Sequence, residues 1–537
     1  MKKKILGISI LSTMFFALSS LSSFNLVKAV NVNNLVAAPQ NLMVPNLAYS
    51  SSSITLVWDK PTVYSNVKEY DIYENGKLVG NTTNLNYTVQ NLTPSTAYSF
   101  TVRAKDGNNV ESDDSNAISE TTTPTAAVFD VTKYGAVGDG KTIDTKSIQA
   151  AIDACTSGGV VVIPSGTFVS GAIYLKSNMS LEVDGTLLGS DNPSDYAYSS
   201  MRFPYYYQPN YMGLINAYTT NYGSLTNIKV YGKGTVSGGT YTSGNLTALG
   251  SAETKLKGDK GRGDLITVKG VTNFYLSGLT LINPAEHTIF ISYSKNITVD
   301  GISAKTYGIH NADGIDVATS DTTKIFNSYF DNGDDCINFN AGYGEDAVKE
   351  NIPCSNIRVF DDNTYRGHGG VVFGSYTGAW IKNVMVEDCN FNGTNIGLRF
   401  KTSKYIGGGA TNVTARDITM SNIVNDAISL DSNYSLTPVS NPAVPGVFQN
   451  VTIQNVTCQT AGGYGIWINA LPTAYNSGIN LTNVTLTSCK KGASISYLKD
   501  STFTGVSLVN CGKAPWNVSN TSNVNFVSCT PTFSTSK

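Results

Sequence analysis

Short apolar stretches separated by Gly, Asn and Thr dominate the chain, and from residue 226 they follow a rule. A small or polar residue, then Asn, then two apolar positions around a variable one occurs at Thr226-Asn227-Ile228-Lys229-Val230, Thr272-Asn273-Phe274-Tyr275-Leu276 and Lys295-Asn296-Ile297-Thr298-Val299. It returns at Ser355-Asn356-Ile357-Arg358-Val359 and Lys382-Asn383-Val384-Met385-Val386, and further copies open at Thr411-Asn412, Gln449-Asn450, Thr482-Asn483 and Ser522-Asn523. Apolar residues two apart mark a strand. Asn separations of 23 (273 to 296), 27 (356 to 383), 29 (383 to 412) and 33 (450 to 483) are then single coils of a repeat. Asn tolerates the left-handed backbone that a sharp corner between strands demands. The pattern predicts a parallel β-helix, with each Asn at one fixed corner of its coil.

Upstream the pattern changes twice. Ile148, Ala151, Ile152 and Cys155 share one helical face, which predicts a helix over Ile143 to Cys155, followed by a strand at Gly158 to Ile163. Such a helix suits the open first coil of a solenoid, whose edge must be covered. Before it, residues 38–123 alternate as an all-β module, with Ile54-Thr55-Leu56-Val57-Trp58 as a strand and Asn75-Gly76 as a hairpin turn. Together with the run Leu92 to Ala104, this stretch resembles a fibronectin type III domain, with Trp58 in the core and Tyr98 as the tyrosine-corner residue. A spacer or a substrate-positioning module is what such a domain implies, since fold alone carries no activity. Thr121 to Thr125, around Pro124, reads as the linker, and the solenoid is expected over residues 128–537.

At 537 residues the chain exceeds one ordinary core, in keeping with two units. Its net charge of −2, with only 14% charged residues, provides no global field for a polyanion and argues against nucleic acid. An anionic partner would have to be held by a local group of cations. Residues 1–29 read as a secretory signal: Lys2, Lys3 and Lys4, an apolar run from Ile5 to Leu21, then small residues around Ala29. Export without a membrane anchor is the expectation. Of the eight cysteines, Cys458, Cys489 and Cys529 each close a similar strand, which suits free, buried thiols better than disulfides.

Within this apolar background, four polar groups stand out between Asn311 and Lys401. They are Asn311-Ala312-Asp313, Gly333-Asp334-Asp335, Gly367-His368-Gly369 and Arg399-Phe400-Lys401. Asp313 to Asp334 is 21 residues, Asp334 to His368 is 34, and His368 to Arg399 is 31. These steps are of coil length, so the groups should stack on one wall about 4.8 Å apart. Carboxylates that close cannot all remain ionised, so one of them should hold its proton. An acid beside ionised bases is what hydrolysis of a glycosidic bond needs. The chain has three histidines, His287, His310 and His368, all in or just before this stretch. Asp331 to Asp335 lacks the alternation and the closing Glu of a calcium loop.

These four motifs, in this order, resemble glycoside hydrolase family 28, the polygalacturonases and their relatives, over about residues 128–537. The resemblance implies a right-handed parallel β-helix of the pectin-lyase-like kind. It implies Asp334 as general acid, Asp313 and Asp335 activating water, His368 supporting the acid, and Arg399 and Lys401 binding a galacturonate carboxylate. His287, Asn311 and Arg202 complete the candidate substrate-binding set. The implied partner is a polygalacturonate or pectin chain, cut by a secreted monomer without cofactor or metal. Carboxylates near 5 Å apart would read as a retaining mechanism, whereas the family is held to invert.

Asn-Ala-Asp, the run Gly333 to Gly342 and Gly397 to Lys401 look more like bacterial exo-acting members, which often carry a fibronectin-like module. Eight tyrosines between 196 and 222, around Arg202 and followed by Lys255, Lys257, Lys260 and Arg262, could close one end of a groove or merely pack over the solenoid. Exo action is favoured, with an endo-acting or other pectin-backbone hydrolase as the near alternative. A calcium-dependent lyase and a non-catalytic polysaccharide-binding β-helix stay open.

Overall fold

The computed structural model describes residues 36–199, 210–239, 263–434 and 441–533. The leader, Arg202, Tyr205 to Tyr207 and the cations Lys255, Lys257, Lys260 and Arg262 lie outside the described residues. Among the described residues no helix is long and apolar enough to cross a membrane.

From Val128 onward the chain winds through three walls. One coil runs as Lys295–Asp300, bends at Gly301, continues as Ser303–Lys305, and after a turn enters Ile315–Ala318. The first two walls merge into a 24-stranded sheet, and the third is a separate sheet of 12 strands from Ile173–Tyr174 to Trp516–Ser519. Along the third wall every strand pairs in parallel with the next coil. The ladder reads Ile266, Ile289, Ile315, Ile337, Val371, Leu398 and Ile428. These residues are fully buried, and two positions on Phe339, Phe373 and Phe400 form a second inward ladder. Phe373 and Phe400 stack with centroids 4.2 Å apart. Each such ring contributes about 2–3 kcal/mol by leaving water.

The corners follow the physics expected of Asn, with one correction. Asn178, Asn227, Asn273, Asn296, Asn356, Asn383 and Asn412 all have φ between 55 and 64. Most are tied to the coil before by side-chain amides, such as Asn273 Nδ2 to Asn227 Oδ1 at 2.7 Å and Asn383 Nδ2 to Asn356 Oδ1 at 3.1 Å. Each coil, however, has a second left-handed corner, occupied by Gly301, Asn327, Asp361, Asp388, Asp417, Asn455 and Asn483 in successive coils. Asn483 thus stacks on Asn455, 28 residues away, while Asn450 stacks against Gly478. The 33-residue step from Asn450 to Asn483 joined two different corners, because Asn satisfies both.

The helix spans Thr145–Ala154 and buries Ile148, Ala151 and Ile152 against the first coils. All eight cysteines are free and buried.

The N-terminal module is a sandwich of a three-stranded and a four-stranded antiparallel sheet, from Gln40–Met43 to Ile118–Thr121. Trp58 is fully buried against Tyr70, and the Tyr98 hydroxyl accepts the Thr93 N–H at 2.8 Å, closing a tyrosine corner. The sandwich is docked on the first wall. Its core is continuous with Phe326 and Phe360 of the solenoid. Lys60 reaches Asp388 at 2.6 Å and Asp417 at 2.7 Å, and Arg358 reaches Asp59 at 2.9 Å and the Trp58 carbonyl at 2.8 Å. Asp361 accepts the Leu85 N–H at 2.7 Å. Three left-handed acidic corners, Asp361, Asp388 and Asp417, therefore serve as the socket for the module.

Lys60→Ala would leave Asp388 and Asp417 facing each other without their cation, at a cost of about 2 kcal/mol. The expected result is a lower urea midpoint and faster proteolysis in the 121–125 linker. An unchanged midpoint and cleavage rate would mean that the module does not brace the solenoid.

Candidate active site

The third wall fixes which side chains meet. In a strand, alternate residues face opposite ways, so in Ile396–Lys401 the inward Leu398 and Phe400 leave Arg399 and Lys401 outward. Counting two residues before each inward ladder position gives Asp264, His287, Asp313 and Asp335, one per coil. The motifs separated by 21 to 34 residues thus become neighbours.

Asp335 is 1% exposed and lies between both cations, with Arg399 Nη1 at 3.1 Å from Oδ1 and Lys401 Nζ at 2.6 Å from Oδ2. Asp334 projects further into solvent. Its Oδ1 receives His368 Nδ1 at 2.8 Å and the Asp335 N–H at 3.0 Å, and its Oδ2 faces Asn311 Nδ2 at 3.4 Å. Asn311 holds this position in the left-handed region, φ 58. Asp313, Asp334 and Asp335 bring one oxygen each to within 4.8 Å of one another. Cations and His368 already compensate two of the three, so this donor set serves proton chemistry better than it serves a metal ion.

Burial decides where the protons sit. Asp313 is pushed well above the ordinary carboxylate range by desolvation, reinforced by Asp316, Asp334 and Asp335. Asp334 feels desolvation too, but the hydrogen bond and charge of His368, with Lys401 and Arg399, outweigh it and bring it down to about 2. His368 is raised in turn, chiefly by its hydrogen bond to Asp334. In the free protein the retained proton of the carboxylate trio therefore belongs to Asp313, and the proton of the Asp334–His368 pair sits on the imidazole.

His287 joins this group one coil earlier. Its Nδ1 is 3.1 Å from Asp264 Oδ1 and its Nε2 is 3.9 Å from Asp316 Oδ2. Asp316, Asp264 and Tyr434 are members that the sequence reading passed over. Asp316 is 2% exposed and is raised to about 6 by burial, with His287 opposing and Asp335 and Asp264 assisting. Its Oδ1 accepts from Asn338 Nδ2 at 2.9 Å. The Tyr434 ring lies 5.7 Å from both the Arg399 guanidinium and Lys401 Nζ. The signal for Asp264 and Asp316 was their fixed offset from Ile266 and Ile315, while Tyr434 follows a turn of unpredictable length. A cleft of about 810 Å³ opens beside His368, lined by His310, Tyr307 and Tyr365. Of the tyrosine-rich stretch, Tyr196 and Tyr211 are buried in the solenoid core, and Tyr222 stacks on Tyr293 at 4.4 Å.

A wall of this kind carrying these motifs has relatives. The family model for glycosyl hydrolases family 28 matches residues 155–511, and that for the fibronectin type III domain matches residues 37–121. The exo-poly-alpha-D-galacturonosidase of Dickeya chrysanthemi is 33% identical over 95% of this chain and 97% of its own.

The chain belongs to glycosyl hydrolases family 28.

The family 28 exopolygalacturonase of Yersinia enterocolitica superposes with a TM-score of 0.85 at 33% identity, over 91% of this chain and 99% of that one. The polygalacturonase of Erwinia carotovora ssp. carotovora gives 0.58 at 26% identity, over 71% of this chain and 98% of that one. As a family 28 member the protein is a glycoside hydrolase on a right-handed parallel β-helix, with a fibronectin type III domain before it.

Asp334→Asn removes the charge that holds His368 up. The His368 imidazole, followed by NMR among the three histidines, should then titrate closer to the ordinary value near 6.5. A titration midpoint that does not fall would separate the two residues electrostatically.

Proposed function

We propose that the protein is an exported exo-polygalacturonase that hydrolyses α-1,4 bonds of polygalacturonate from chain ends. The observation that carries this reading is the pairing of Arg399 and Lys401 beside Asp335, on the same wall as the Asp334–His368 pair. A neutral glycan needs no such cations, whereas a uronate presents a carboxylate that an Arg fork and a Lys can hold. The near full-length likeness to two relatives named as exo-acting, module included, favours release from chain ends over internal cuts. Lys2 to Lys4 and the apolar run after them support export.

Substrate binding and proton movement are linked by charge. A galacturonate carboxylate arriving at Arg399 and Lys401 competes with Asp335 for them and adds negative charge near Asp334. Both effects raise the Asp334 pKa, so the proton crosses 2.8 Å from His368 Nδ1 to Asp334 Oδ1. Asp334 then protonates the leaving glycosidic oxygen. Asp335, partly released from its cations, takes a proton from the attacking water, and Asp313 orients that water from its buried position. Asp335 is engaged as the base for that water and Asp313 retains its proton, which leaves neither free to attack the sugar. Water attack with inversion fits better than a covalent intermediate, despite the short separations.

The test is a time course of products from polygalacturonate by chromatography, with absorbance detection of unsaturated ends, beside Asp334→Asn. Saturated mono- or digalacturonate should appear alone from the start, and the variant should be slower by about 10²- to 10⁴-fold. A ladder of saturated oligomers would overturn the exo reading, and unsaturated products would overturn hydrolysis.

A further inference from the structure

We propose that the third wall holds a second uronate-binding site two coils beyond Arg399, built from Tyr464, Trp467, Lys490 and Lys491, which grips the polymer away from the cut. This rests on the polygalacturonate reading and specifies how the same groove continues. Arg399 pairs in register with Ser429, and Ser429 with Trp467, so Trp467 occupies the same outward row as Arg399 and Asp316. Two strand spacings place it about 10 Å along the solenoid axis. Between them in the row stands Ser429, a short and buried side chain. Tyr464 pairs with Lys491 one coil further.

These residues line a cleft of about 280 Å³. The rings of Tyr464 and Trp467 stack within 12° of parallel with centroids 6.4 Å apart, and both are half-buried on the outer face. Lys491 Nζ stands 4.5 Å from the centre of the Tyr464 ring. Lys490 and Lys491 are exposed, and neither forms an ion pair with a described residue. Asp426, the acid in the same cleft, is raised by burial against the opposing pull of the Tyr464 N–H, which its Oδ1 accepts at 2.7 Å, and of the Lys491 and Arg399 charges. The cleft thus sets two exposed lysines beside a pair of aromatic rings, with Asp426 offsetting part of the Lys491 charge. That composition repeats the one at the cut, where Arg399 and Lys401 stand beside Tyr434. A pyranose packs against the half-exposed Trp467 ring, and its carboxylate meets the lysines. The occupant is a further galacturonate of the chain already threaded through the catalytic groups, because the row is continuous and the charge is complementary.

The experiment compares Lys490→Gln/Lys491→Gln with the wild-type protein on trigalacturonate and on long polygalacturonate. The kcat/KM on the long chain should fall roughly three- to tenfold through KM, and trigalacturonate, too short to reach the site, should be turned over as before. Trp467→Ala should act in the same direction by about tenfold. A loss shared equally by both substrates, or none on either, would overturn the site. A second arm places both sets of changes in Asp334→Asn protein and measures hexagalacturonate binding by calorimetry. Weaker binding in the lysine variant supports the site even if the wild-type protein proved inert, in which case the activity reading alone fails. Unchanged hexagalacturonate affinity overturns the site whatever the activity.

Discussion

The lateral register of parallel strands is the constraint on which the whole site depends. Each coil contributes one or two polar groups that have no use alone, and the inward ladders of Ile, Val, Leu and Phe decide which of them meet. A slip of one residue would turn Leu398 and Phe400 outward and bury Arg399 and Lys401. The cost of burying those two cations among stacked Phe rings makes that slip prohibitive. The apolar core thus specifies the chemistry as well as the fold, although none of the ladder residues lines the cleft beside His368.

Electrostatics then divide the labour among groups that the register has crowded together. Asp335 is tied to two cations, Asp334 shares a proton with a half-exposed imidazole, and Asp313 keeps a proton because it is buried among other acids. Neutralising the cations with an anionic substrate changes all three at once. The free protein therefore holds its site in a charge-balanced resting state, which the uronate of the proposed function would unbalance. The docked fibronectin-like module uses the same economy elsewhere: the acidic residues that bend the coils at Asp361, Asp388 and Asp417 also anchor the sandwich.

Much of this was legible in the sequence because it is written at short range. Strand spacing, the Asn corners, the helix over the first coil and the four polar motifs each occupy a few consecutive residues. What was not legible depends on distance in space. The second corner was hidden because Gly, Asn and Asp all adopt it, so that Asn483 was aligned with the wrong Asn. Asp264 was passed over because its partner His287 is brought to it only by the ladder, 23 residues on. The docking of the sandwich joins residues as far apart as Lys60 and Asp417, which no local pattern encodes. The location of the protons followed from burial, which placed the retained one on Asp313 and left Asp334 dependent on His368.

In the proposed mechanism water, held by Asp335 and Asp313, attacks while Asp334 donates its proton, with no bond formed to the protein. The most direct measurement is the anomeric form of the first product, read by proton NMR within the first minutes of polygalacturonate hydrolysis, before mutarotation equilibrates it. β-Anomer should be in excess at the earliest times, decaying toward equilibrium. An initial excess of α-anomer would make one of these carboxylates a nucleophile and would contradict the account.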